Sequence, residues 1–144
     1  YVLRTKATAE ASRRLTKAAM GILAEYMDDK DTAYNLDLAL SEACANVVRH
    51  AYLKSQENSC SVGDLEITLA LEPCRRLLIE VADWGVGFEN IPACLDNAPP
   101  EAETGRGLYI MAELADKVSF TSCNGKNTVC MEINIREEIW TDLQ

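Results

Sequence analysis

At 144 residues the chain has the length of a single domain, 1–144, large enough to bury a real core. Its formal net charge of -9 excludes the basic surface that direct nucleic-acid binding needs and suits a basic protein partner better, and no run approaches the ~20 apolar residues of a membrane span. Six cysteines, at 44, 60, 74, 94, 123 and 130, form no CxxC pair and have no companion histidine beyond His50, so they read as reduced thiols in a cytosol rather than as zinc ligands.

A short strand at Val2 to Lys6 can precede a first amphipathic helix from Thr8 to Met27, whose Leu15, Ala19, Ile22, Leu23 and Tyr26 recur at helical spacing. After a polar break at Asp28 to Asp31, a second helix is predicted from Thr32 to Leu53, burying Leu36, Leu40, Cys44, Val47 and Val48 and carrying Glu42, Asn46 and His50 as a separate stripe. Leu65, Ile67, Leu69 and Leu71 alternate with Glu66, Thr68 and Ala70 as a half-buried strand. Glu72 to Arg75 turns the chain into a more continuously apolar strand, Leu77 to Ala82, that ends at Asp83. Phe88 to Glu103 contains Pro92, Pro99 and Pro100 and reads as a mobile lid. Thr104 can cap a helix from Gly105 to Ala115. Val118 to Ser122 and Val129 to Ile135 then alternate as two strands joined by an Asn124-Gly125 hairpin turn. The order predicts an α+β, two-layer sandwich with helices on one face of the sheet.

Three polar clusters stand out in this frame. Ser41-Glu42-Ala43-Cys44-Ala45-Asn46 places a carboxylate and an amide four apart, on one helix face, with His50 one turn on. A side-chain amide oxygen together with phosphates suffices for magnesium, which Asn46 can supply, and Glu42 can take a proton from an attacking hydroxyl. Alone, this stripe reads as well as the solvated side of a helix. Asp83-Trp84-Gly85-Val86-Gly87 sets an acid at a strand end where it can accept from an adenine amino group, with glycines that let the base approach; an ordinary turn has the same composition. Thr104-Gly105-Arg106-Gly107 can offer backbone N–H groups, a helix dipole and a formal charge to phosphates, or be a glycine-rich cap. Their joint occurrence in this order reads as an ATP site. Thr128 starts a strand from which a hydroxyl can reach the adenine pocket, and Trp84 can pack near the base or on the core.

These motifs resemble the GHKL ATPase superfamily with its Bergerat ATP-binding fold, and within it the anti-sigma-factor serine/threonine kinases of the RsbW and SpoIIAB type. The resemblance spans nearly the whole chain. SEACANVVRHAY (41–52) is similar to the N-box, which makes Glu42 the catalytic base and Asn46 the magnesium ligand, with His50 as a secondary member of the nucleotide set. VADWGVGFE (81–89) is similar to the G1 box, with Asp83 as the adenine-binding acid beside Gly85 and Gly87. TGRGLYIMAELAD (104–116) is similar to the G2 box, which draws in Thr104, Gly105, Arg106, Gly107 and Leu108, and GKNTVCMEI (125–133) is similar to the segment that brings a threonine, here Thr128, near adenine.

The resemblance implies a mixed sheet covered on one face by helices, ATP and Mg2+ as cofactors, and a cytoplasmic, homodimeric protein. It implies a kinase that binds a sigma factor and phosphorylates a STAS-domain antagonist. One departure keeps an alternative open: where family members often carry a basic lid residue, this chain has Glu101-Ala102-Glu103, which suits an ATP-gated regulatory binding module without efficient kinase turnover.

Overall fold

Short polar side chains start the two long helices, as they are suited to do. The computed structural model describes residues 1–52, 63–86 and 106–141, and for His50, Arg106, Gly107 and Leu108 the backbone only. Thr8 Oγ1 accepts the Ala11 N–H at 3.1 Å ahead of α1 (Ala9–Ala24). Asp29 caps α2 (Lys30–Asn46), accepting from the Thr32 hydroxyl at 2.7 Å and the Thr32 amide at 2.8 Å; both bonds hold its carboxyl below the usual carboxylate range. α1 stops short of the predicted Met27 because the chain there is drawn to the C-terminal segment. Met27 pairs with Trp140, and the Thr141 N–H donates to the Tyr26 carbonyl at 2.8 Å. α2 does not run on as a regular helix either: past Asn46 it widens into a π turn, Val47–Ala51.

The strands are β1 (Val2–Lys6), β2 (Asp64–Glu72), β3 (Arg76–Asp83), β4 (Lys117–Cys123) and β5 (Lys126–Asn134), with α3 (Arg106–Leu114) before β4. They form one sheet in the order β1-β2-β3-β5-β4, and every pairing among these described strands is antiparallel. The expected mixed sheet is thereby corrected. The crossover through α3 does bring β4 back in the direction of β3, but β5 folds over its tight turn (Asn124 φ 52°, Gly125 φ 78°) into the space between them, so no parallel ladder forms.

Register fixes which side chains meet the helices. Leu65, Ile67 and Leu69 stand opposite Asp83, Val81 and Ile79, and these opposite Asn127, Val129 and Met131. Strand alternation puts the whole set on one face, where its apolar members pack with Leu15, Ala19 and Leu23 of α1, Leu36, Leu40 and Cys44 of α2, and Met111 of α3. Burial of each large side chain contributes about 1.5–3 kcal/mol. The Cys44 thiol sits deep in this layer, and burial pushes its pKa up to about 11, so it acts as a small apolar side chain. Cys74, Cys123 and Cys130 are likewise unpaired, whereas Cys60 and Cys94 lie outside the described residues.

Glu66, predicted to face solvent, is instead buried on the opposite sheet face. Arg4 and Lys126 close over its carboxylate at 2.8 and 3.0 Å. Burial opposes its ionisation, but the two cations outweigh that and hold it below the ordinary glutamate range. The same cations flank Trp84, 4.4 and 5.5 Å from its ring centre, so Trp84 packs on this polar face rather than in the core.

One side chain ties the end of α2 to the sheet. The Tyr52 hydroxyl, following the π turn, donates to the Asp64 carbonyl at 2.5 Å and accepts from the Trp84 N–H at 3.0 Å, joining the start of β2 to the end of β3. Burial raises the pKa of this hydroxyl, which keeps it a donor. A Cβ on Gly63 would lie 2.1 Å from the Tyr52 ring, so the neighbouring backbone closes on that ring as only glycine permits. Replacing Tyr52 with Phe removes both hydrogen bonds and leaves two backbone groups without that partner; we expect a loss of about 1–3 kcal/mol in chemical denaturation, with no change in secondary-structure content.

Candidate functional site

At one end of the sheet the apolar face turns polar. Asp83, Asn127 and Ser122 stand side by side across β3, β5 and β4, and the first two are 6% and 2% exposed. The Ser122 hydroxyl donates to Asn127 Oδ1 at 2.7 Å, which fixes the amide so that Nδ2 points at Asp83. Asn127 Nδ2 then donates to Asp83 Oδ1 at 3.0 Å and to the Gly85 carbonyl at 3.2 Å, and the Gly85 N–H donates to the same Oδ1 at 2.8 Å. Both donors go to one carboxylate oxygen. Oδ2 is therefore the oxygen to which a ligand's donor can bind, at a strand end held rigid from two sides.

Thr128, expected to reach this pocket, is in register with Ala82, one step along the ladder. Alternation puts its side chain on the opposite sheet face from Asp83. Asn127 takes the position facing Asp83, and sequence reasoning missed it. The usable signal was the strand's own period: Asn127, Val129, Met131 and Ile133 share one parity, so a polar residue there continues the buried face.

Gly85 brings the second cluster to the same corner. A Cβ on it would lie 2.0 Å from the carbonyl oxygen of Ala51, the last residue of the π turn, and the Val86 N–H donates to that oxygen at 3.1 Å. The chain after Asp83 thus lies directly against the end of the helix that carries Glu42 and Asn46. Those two residues stand one turn apart on α2, both partly exposed. Glu42 also lines a cleft of about 510 Å³ between α1 and α2, with Ser12, Arg13, Lys17, Asp37 and Arg49 among the other walls. His50 lies in the π turn, and Arg106, Gly107 and Leu108 form the first turn of α3. Gly87, Thr104, Gly105 and the predicted lid lie outside the described residues.

Among the described residues no three His, Cys, Asp or Glu side chains converge as a metal cage. Asn46 offers a hard amide oxygen from the helix face, which suits an ion such as magnesium that keeps waters and takes phosphate oxygens. No described helix is long and apolar enough to cross a membrane.

Known proteins resemble this chain over most of its length. Residues 5–133 match the family model described as a histidine kinase-like ATPase domain. The chain is 32% identical to a protein named serine-protein kinase RsbW from Bacillus mycoides, over 95% of this chain and 85% of that one. It is 30% identical to one of the same name from Bacillus thuringiensis, over 78% and 71%. Among solved structures, it is similar to the RsbU and RsbW domains of a Mycobacterium tuberculosis protein, with a TM-score of 0.59 at 18% identity over 92% of this chain and 31% of that one. The histidine kinase domain of a blue-light activated histidine kinase from Erythrobacter litoralis gives a TM-score of 0.50 at 20% identity, over 71% and 44%. At these identities the solved structures support the fold alone, and this chain spans less than half of each.

Asn127→Ala removes the donor that orients Asp83 and leaves the Ser122 hydroxyl without its acceptor. Stability should fall by about 1–3 kcal/mol in a denaturant titration. Gly85→Ala should cost at least as much, because its added methyl meets backbone rather than a movable side chain.

Proposed function

The chain belongs to the histidine kinase-like ATPase domain family, in its RsbW-type branch, and we propose that it is an ATP-dependent serine/threonine protein kinase acting as an anti-sigma factor or partner-switching regulator. Its substrate in this reading is a serine or threonine of a STAS-domain antagonist; a sigma factor is its second partner, and the working form is a cytoplasmic homodimer. The observation that carries the reading is the preset Asp83 carboxylate, with Oδ1 already occupied by Gly85 and Asn127, at the corner where the Glu42 and Asn46 helix ends.

Asp83 Oδ2 accepts the adenine amino group, and a base bearing a carbonyl there meets an acceptor instead of a donor. Gly85 keeps the approach open. Asn46 is the residue that would hold Mg2+, whose charge offsets that of the phosphates. The start of α3, at Arg106 and Gly107, presents backbone N–H groups to the phosphates; Gly87, Thr104, Gly105, Leu108 and His50 join the proposed nucleotide-binding set on their motifs alone, and Asn127 replaces Thr128 beside Asp83. Glu42 takes the proton of the acceptor hydroxyl as its oxygen bonds to the γ-phosphorus.

Calorimetric titration with ATP and Mg2+ tests the nucleotide site: Asp83→Asn should weaken ATP binding by about ten- to a hundredfold, the value of a hydrogen bond to a charged group. Glu42→Gln should keep ATP affinity and lose phosphotransfer, read as radiolabel from γ-phosphate on a STAS-domain protein; retained transfer removes Glu42 as base. The acidic run Glu101-Ala102-Glu103 favours a second reading, an ATP-gated binding module. That reading expects partner capture that needs ATP and survives Glu42→Gln.

A further inference from the structure

Arg49 stands seven residues, about two helical turns, beyond Glu42 on the same helix, so the two side chains leave the same side. An arginine there is long and leans toward the helix N-terminus. Its Nη2 lies 3.8 Å from Glu42 Oε2, and its Nε donates to the Ala45 carbonyl at 3.4 Å, between the two. Its backbone belongs to the π turn, a local widening that recurs in helices at functional sites. Both residues wall the cleft between α1 and α2. With side-chain exposures of 51% and 28%, the pair contributes little to stability. At 3.8 Å it is also longer than a hydrogen bond, so it orients by charge and yields when another group arrives.

We infer that Arg49 is a positioning residue for phosphotransfer: it holds the Glu42 carboxylate on the cleft side of α2, toward an acceptor hydroxyl entering between α1 and α2. This rests on the reading of Glu42 as base. In the step it serves, the hydroxyl proton passes to Glu42, the hydroxyl oxygen bonds to the γ-phosphorus, and the bond from that phosphorus to the bridging oxygen breaks to release ADP. Without Arg49 the carboxylate samples other rotamers and is aimed for a smaller share of the time.

The test is ATP turnover with water as acceptor, followed as ADP release, with ATP affinity measured by calorimetry on the same proteins. Arg49→Ala should lower kcat about two- to fivefold, the weight of one exposed ion pair, and leave KM for ATP and the calorimetric Kd unchanged. Arg49→Lys should recover most of that loss. In the residual turnover of Glu42→Gln, followed at high protein concentration, Arg49→Ala should change nothing further, because its effect runs through Glu42. Parent-like turnover in Arg49→Ala, a matching change in Kd, or an undiminished loss in the Glu42→Gln background would each overturn the assignment. If Arg49→Ala fails to fold, Arg49→Gln takes the same comparison. Parent-level turnover in Glu42→Gln alone is a separate outcome: it removes the base itself, and the positioning role falls with it.

Discussion

The contact on which the rest of the site depends is the approach of the chain after β3 to the end of α2. Gly85 sits so close to the Ala51 carbonyl that a Cβ would come within 2.0 Å of it, and the Val86 N–H bonds that same oxygen. Tyr52, the next residue, fastens both strand ends with its hydroxyl. α2 and β3 already share one core, and this seam brings their ends into direct backbone contact. Here the seam is made of backbone groups and one phenol, so the only side chain it uses, Tyr52, is one with no assigned chemistry.

Beside it, the polar row at the end of the sheet solves a different problem. A carboxylate that is 6% exposed is costly unless its lone pairs are occupied. Asn127 and the Gly85 amide satisfy one oxygen, and Ser122, on the edge strand, fixes the direction of the Asn127 amide. The second oxygen then has a fixed direction before any ligand arrives. Preorganisation of this kind lowers the cost of binding, because the acceptor need not be ordered at the moment of contact.

Much of this was legible in the sequence, for reasons that differ by element. The α1 stripe from Leu15 to Leu23 and the alternation in β2 and β5 are periodic, and burial on one face enforces that period. Asn124-Gly125 declares its turn because both residues must take positive φ. What escaped was set by contacts distant in sequence. Glu66 is buried because Arg4 and Lys126, 62 and 60 residues away, close over it. The widening of the helix at Val47–Ala51 leaves no mark in composition, and the antiparallel sheet follows from where β5 inserts rather than from any strand's own pattern. The exchange of Thr128 for Asn127 at the pocket is a one-residue matter of register, and register flips a side chain from one face to the other.

The two faces of the sheet also divide the charges by purpose. On the outer face, Arg4, Lys126 and Glu66 neutralise one another at 2.8–3.0 Å around Trp84, so these cations are committed to structure. On the helix side, Arg49 meets Glu42 only at 3.8 Å, and the Glu42 side chain is 28% exposed against 9% for Glu66. Close pairing with desolvation makes a fixed brace, whereas a long, wet pair leaves both partners able to exchange one contact for another. In a chain with a net charge of -9, Arg49 thus stands beside a carboxylate on the helix that carries Asn46 without being locked to it.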